Sequence, residues 1–164
     1  MSGAFFIAQR PRRFFFIKLA TRRRPPAKHR MIVYRRFMMR IIARIAAKEG
    51  GKAVVTGDSL GQVASQTLDN LRCIQAASPL PVLSPLIGFN KEETVVLARR
   101  IGTFEASAQP YPDCCSFMIS PHPETRADLA EIERYEAGIE HIDDFVDEAV
   151  AQAEIRFFGQ KKET

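Results

Sequence analysis

Two adjacent thiols, Cys114 and Cys115, are the sharpest reactive candidates in the chain. A cysteine acts as a nucleophile, or carries a persulfide, once its pKa is lowered and solvent reaches it. Asp113 works against that, because a neighbouring negative charge raises a thiol pKa. His122, seven residues beyond Cys115, could serve as a base. The plain alternatives are two small hydrophobes in a loop and a solvated imidazole. A metal site is the weaker idea. Cys-Cys lacks Cys-x-x-Cys spacing, and cysteines scattered at 73, 114 and 115 do not make a tetrahedral cage.

A second candidate runs from Ala53 to Gln66, Ala-Val-Val-Thr-Gly-Asp-Ser-Leu-Gly-Gln-Val-Ala-Ser-Gln. The β-branched run Val54, Val55, Thr56 stops at Gly57, turns through Asp58 and Ser59, and passes Gly61 into a helix starting near Gln62. Strand, glycine-bearing turn and helix, in that order, build nucleotide sites in α/β proteins, because the helix start offers free backbone N–H groups. Arg35 and Arg36 add guanidinium forks suited to phosphate or carboxylate, with a solvated helix face as the alternative.

The elements that must position these residues follow from periodicity. Tyr34, Phe37, Met38, Ile41, Ile42 and Ile45 recur at helical spacing, with Arg36, Arg40 and Arg44 on another face. Gly50-Gly51 ends that helix. A second helix is expected from about Gln62 to Ala76, with Val63, Leu68, Leu71 and Cys73 turned inward and Cys73 as a core residue. The apolar run between Pro79 and Gly88 reads as a strand. Asn90 and Glu93 form a capping box opening a helix to Ile101, which Gly102 terminates. The α-β-α-β-α order favours a parallel sheet with right-handed crossovers. Thr103–Pro123 reads as irregular, and two amphipathic helices, about Glu124–Ala137 and Ile142–Ala153, close the chain.

Length and composition suit one domain: 164 residues, 46% hydrophobic and 26% charged. No apolar run approaches the roughly 18–20 residues that span a bilayer, so no membrane role is expected. Three cysteines form no secreted disulfide framework, and a cytoplasmic setting fits. Charge is sharply divided. Met1 to Lys48 holds 14 Lys and Arg and no acid, whereas the remainder nets −9. The basic block suits phosphates, through counterion release. Residues 1–27, rich in Phe and Arg and ending at Pro25-Pro26, lack the apolar region of a secretory signal. An Arg-rich, acid-free leader resembles an organelle transit peptide, although Ser is scarce in it; the stronger readings are a solvated or disordered RNA-binding arm and, above that, non-native sequence.

Several strings occur in an order that resembles the tRNA sulfurtransferases, the ThiI-type 4-thiouridine synthetases. These are Ile32-Val-Tyr-Arg-Arg-Phe-Met-Met-Arg40, Val55 to Leu68, Pro85-Leu-Ile-Gly-Phe-Asn-Lys-Glu-Glu93, Ala98-Arg-Arg-Ile-Gly-Thr103 and Pro110-Tyr-Pro-Asp-Cys-Cys115. The resemblance runs from about Lys28 to Phe157. It implies a PP-loop pyrophosphatase domain, an α/β fold with a partial parallel sheet flanked by helices and a helical carboxyl terminus. It also implies ATP, with magnesium, as the nucleotide, tRNA as substrate and a cysteine desulfurase as sulfur donor, with a link to thiamine biosynthesis. Arg35, Gly57 and Gln66 match positions lining the adenylate, and Cys114 or Cys115 matches the cysteine of sulfur transfer.

The departures from the family pattern are equally specific. The pyrophosphate-gripping loop Ser-Gly-Gly-x-Asp-Ser, the RNA-binding THUMP region and a rhodanese-like extension have no counterpart in the 164 residues. The chain therefore resembles the carboxyl-terminal half of the catalytic domain, residues 28–158, between the leader 1–27 and a tail 159–164. A frameshift, a misassigned start or a truncated gene would explain the leader. Half a doubly wound sheet leaves an open strand edge and uncovered apolar helix faces, so the isolated chain is expected to be marginal, a homo-oligomer or aggregation-prone. The competing reading is a non-catalytic remnant that holds RNA through its basic arm.

Overall fold

Nineteen residues free of Gly and Pro, Arg30–Lys48, form the helix around which the other elements pack. The computed structural model describes residues 4–8, 25–110 and 120–158. In chain order its elements are β1 (Ala4–Ala8), a 3-10 turn (Ala27–His29), α1 (Arg30–Lys48), β2 (Val54–Val55), a 3-10 turn (Ala64–Gln66) and α2 (Leu68–Gln75). Then come β3 (Val82–Leu83), α3 (Lys91–Arg100), α4 (Phe104–Ser107), α5 (Leu129–Ala137), α6 (Ile142–Ala151) and β4 (Glu154–Phe158). The expected α/β class is borne out, with β2 and β3 parallel and Val54 opposite Val82. Helix α2 forms their crossover.

Strand periodicity decides which sheet face is covered. Val54 is buried against the core, whereas Val55 and Leu83, paired on the opposite face, are exposed. A second, antiparallel pair joins β1 to β4, with Ala4 opposite Phe158 and Ala8 opposite Glu154. The remaining residues of the block 1–24, apart from β1, lie outside the described residues.

Two helix ends follow the glycine rule. Gly50 has φ 72°, and Gly51 N donates to Ala46 O while Gly50 N donates to Ala47 O. Gly102 has φ 74°, with Thr103 N on Ala98 O and Gly102 N on Arg99 O. Both are paired C-terminal hydrogen bonds that need a left-handed residue, which glycine adopts without a Cβ clash. The Asn90–Glu93 capping box is also present, each side chain accepting from the other residue's backbone N–H.

The core joins Ile32, Val33, Phe37, Met39, Ile41, Ala43 and Ile45 of α1 to Val54, Cys73, Ile74, Ile132 and Val146. So many buried positions on one helix mean that α1 is enclosed on more than one side. This corrects the expectation for two residues. Met38 is exposed rather than inward, its place taken by Met39. Arg36 is 2% exposed rather than on a solvated face, because α5 brings it a partner. Its Nη2 donates to Glu136 Oε2 at 2.8 Å and its Nη1 to the carbonyl of Cys73. Arg40 adds a two-pronged contact, at 2.8 and 2.6 Å, to the same Glu136 carboxylate. Arg44 reaches Asp143 and Asp147 on α6.

Other boundaries also move. Helix α2 begins at Leu68 rather than near Gln62, because residues 57–66 fold into a closed loop and Thr67 caps the helix by accepting from Asn70 N. Val63 and Leu68 consequently stay exposed, at 57% and 70%, while Leu71 and Cys73 are buried as expected. Helix α5 begins at Leu129 rather than Glu124, because Asp128 caps it by accepting from Glu131 N. A short helix, α4, interrupts the segment read as irregular. Helix α6 stops at Ala151, and β4 follows it.

Candidate functional site

The loop after β2 is built around one carboxylate. Asp58 is 3% exposed, and its Oδ1 accepts from Arg35 Nη2 at 2.6 Å and from Gln66 Nε2 at 3.1 Å. Arg35 Nη1 also faces Ser65, 3.3 Å from its carbonyl and 3.4 Å from its Oγ. The loop closes on itself through Gly61 N to Gln66 O at 2.9 Å, with Gly61 at φ 76°. It is tied to the β3 side by Leu60 N to Ile87 O and by the Ser59 hydroxyl donating to Phe89 O. Thr56 and Ser84 share a hydroxyl contact of 2.9 Å between the strand ends.

Burial alone would raise the Asp58 carboxyl, but the Arg35 charge and hydrogen bonding by Arg35, Thr56 and Gln66 outweigh it and hold the group below its ordinary value. The cluster is therefore an ionised pair with a neutral amide attached. Gly57 leaves space beside it: a Cβ there would meet no atom within 4 Å. A bound molecule can approach the backbone at that point.

The structure thus brings together three of the sequence-predicted site residues, Arg35, Gly57 and Gln66, from a helix, a strand end and a 3-10 turn. Cys114 and Cys115 lie outside the described residues. His122 is exposed, and Cys73 is a core residue whose thiol burial pushes up. Among the described residues no group of three or more His, Cys, Asp or Glu could hold a metal ion. None of their helices is long and apolar enough to cross a membrane.

Sequence reasoning missed Asp58 as the organiser of the loop. Its adjacency to Gly57 was a signal, but its partner Arg35 is 23 residues away. It also missed Asn70. This fully buried side chain donates to Ala64 O and Glu124 O, both at 2.7 Å, and accepts from Ala127 N at 3.0 Å. Thr67 Oγ1 donates to Thr125 O beside it. The first turn of α2 therefore clamps the Arg35–Gln66 loop to the segment entering α5. Lys28 grips the same segment, and its hydrogen bond to Glu124, with backbone donors from Arg126 and Thr125, takes that carboxyl down to about 2. Asn70→Ala orphans one buried donor and two acceptors, and is expected to lower unfolding stability by about 3 kcal/mol in urea titration. A loss below about 1 kcal/mol would mean that water replaces the clamp.

A family model described as thiamine biosynthesis protein (ThiI) matches residues 14–141. The probable tRNA sulfurtransferase of Thermus thermophilus is 51% identical over 112 residues, 68% of this chain and 28% of that protein. The Bacillus subtilis protein of the same name is 42% identical over 129 residues, 79% of this chain and 32% of that one. A solved 4-thiouridine synthetase, in complex with RNA and with bound ATP, superposes with a TM-score of 0.79 at 39% identity. That match covers 87% of this chain and 37% of the solved one. The chain spans about a third of the length of these relatives. Strings, site geometry and family match coincide on one segment, and the chain belongs to the ThiI family.

Proposed function

We propose that this chain forms the adenylate-binding and sulfur-carrying part of a tRNA 4-thiouridine synthetase. The observation that carries this reading is the Arg35–Asp58–Gln66 cluster beside open Gly57, in a chain 39% identical to a synthetase seen with RNA and bound ATP. In the reaction, the uridine carbonyl oxygen attacks the α-phosphorus of ATP and pyrophosphate leaves. A cysteine persulfide, on Cys114 or Cys115, then attacks the activated carbon through its outer sulfur, and AMP leaves with the oxygen. A free thiol, supplied by the cysteine of the assay, attacks the carrier's inner sulfur, which releases 4-thiouridine and leaves the carrier as a mixed disulfide that a second thiol reduces. The sulfur comes from a cysteine desulfurase, and the same carrier serves thiamine biosynthesis. Magnesium enters with the ATP phosphates. Residues 28–158 are the carboxyl-terminal part of the PP-loop domain, acting in the cytoplasm and as a homo-oligomer.

The rival reading, an RNA-holding remnant, is weakened on α1 itself. Arg36, Arg40 and Arg44 are engaged by Glu136, Asp143 and Asp147, so that helix does not present three free guanidiniums. The test is to mix the chain with tRNA, magnesium-ATP, cysteine and a cysteine desulfurase, and to follow pyrophosphate release and 4-thiouridine in the tRNA. Both are expected once a segment carrying the Ser-Gly-Gly-x-Asp-Ser loop is added, and little of either without it, because that loop supplies the backbone N–H groups that grip the pyrophosphate. RNA retention with neither product in the presence of that segment would favour the remnant.

A further inference from the structure

Gln66 has an amide with one donor end and one acceptor end, and only one of them can face a ligand. Its Nε2 donates to Asp58 Oδ1 at 3.1 Å. An ionised carboxylate accepts and never donates, so this contact requires the nitrogen end of Gln66 to face Asp58. Arg35 Nη2, 2.6 Å from the same oxygen, keeps that carboxylate charged and stationary. The amide therefore cannot turn over while Asp58 is in place, and Oε1 has no hydrogen-bond partner among the described residues.

The charge of the cluster says which part of a nucleotide it suits. Arg35 and Asp58 neutralise each other at 2.6 Å, with side chains 17% and 4% exposed. What remains is a neutral, acceptor-bearing amide near a buried carboxylate. With its one cation already paired, the cluster offers a phosphate no free positive charge, so it fits a neutral group that donates a hydrogen bond.

We propose that Asp58 is a positioning residue that fixes the Gln66 amide with Oε1 toward the nucleotide, and so selects a purine with a 6-amino group over one with a 6-carbonyl. This rests on the ATP reading and deepens it. Adenine donates from its exocyclic amine to Oε1. Hypoxanthine presents an oxygen there, and two facing acceptors repel. A polar site of this kind rejects the wrong partner more strongly than an apolar pocket does.

The experiment measures Kd for ATP, inosine triphosphate and 2′-deoxy-ATP on the full chain and its variants by calorimetry. The wild type is expected to prefer ATP over inosine triphosphate by about tenfold or more, and to bind 2′-deoxy-ATP like ATP. Asp58→Ala frees the amide to rotate, and the preference should fall to about threefold or less. Asp58→Asn should restore it, because its Oδ1 still accepts from Arg35 and Gln66. Gln66→Leu, at a half-buried position, should bind both triphosphates alike. A merely structural Asp58 would weaken both nucleotides together and leave their ratio unchanged, which overturns the proposal. Discrimination against 2′-deoxy-ATP in place of inosine triphosphate would overturn it too, by placing the ribose at Gln66. If the wild type binds no triphosphate, the ATP reading itself fails and this inference with it. A preserved ratio in Gln66→Leu leaves ATP binding standing and overturns only the inference.

Discussion

Replacing Glu136 with alanine is expected to lower the unfolding free energy by about 3–5 kcal/mol. Glu136 is 4% exposed and receives Arg36 Nη2 and both terminal nitrogens of Arg40. Removing it leaves Arg36, 2% exposed, as a charge with no carboxylate at hydrogen-bond distance; Glu133 is 3.9 Å away and largely solvated. The cost comes from that stranded guanidinium more than from the lost attraction. Urea denaturation of the variant checks it. A decrease below about 1 kcal/mol would mean that Arg36 swings out to solvent.

Acid should act on the same triad. Burial pushes the Glu136 carboxyl up, but the hydrogen bonds from Arg40 and Arg36 and their charges prevail, leaving it below 4.5. A depressed folded pKa means that the group's stabilisation is fully present above 4.5 and is lost as pH falls through the lower folded value. The unfolding midpoint of Glu136→Gln should therefore vary less across that acidic window than that of the wild type.

Changing both Cys114 and Cys115 to serine is expected to abolish sulfur transfer to tRNA, by at least ~10³-fold, if the proposed chemistry is right. An alcohol cannot form a persulfide, and its oxygen is a poor nucleophile without a strong base. The single variants then assign the role: the carrier's replacement should match the double variant, and the other should retain transfer. The readouts are 4-thiouridine in tRNA and persulfide on the protein by alkylation and mass spectrometry, with the unfolding midpoint as a check on folding. Transfer surviving in the double variant would remove these thiols from the mechanism.

Local chemistry made part of this architecture legible without coordinates. Helix α1 follows from its apolar spacing, its end from Gly50 at φ 72°, and α3 from its Asn90–Glu93 box and Gly102. Each rests on contacts a few residues apart, which the chain makes whatever the rest of the molecule does. The parallel pairing of β2 and β3 is not local, and it was legible instead from element order, as two short apolar runs separated by one helix. The strings around Gly57 also carried the family, because their residue types recur in order.

What tertiary structure decided lies at long range. Arg36 looked like a surface residue because its partner Glu136 is 100 residues away, and helical period cannot say which polar side chain a distant helix will neutralise. Arg35, Asp58 and Gln66 were readable as residue types, but not as a cluster sharing one oxygen. The start of α2 moved to Leu68 because loop closure by Gly61 and Gln66, and the clamp from Asn70 to Glu124 and Ala127, outweigh local helix propensity. The sequence by itself determined which segments fold and to which family they belong. Only the packing of α1 against α2, α5 and α6 determined which charges are buried, because burial depends on partners that arrive from elsewhere in the chain.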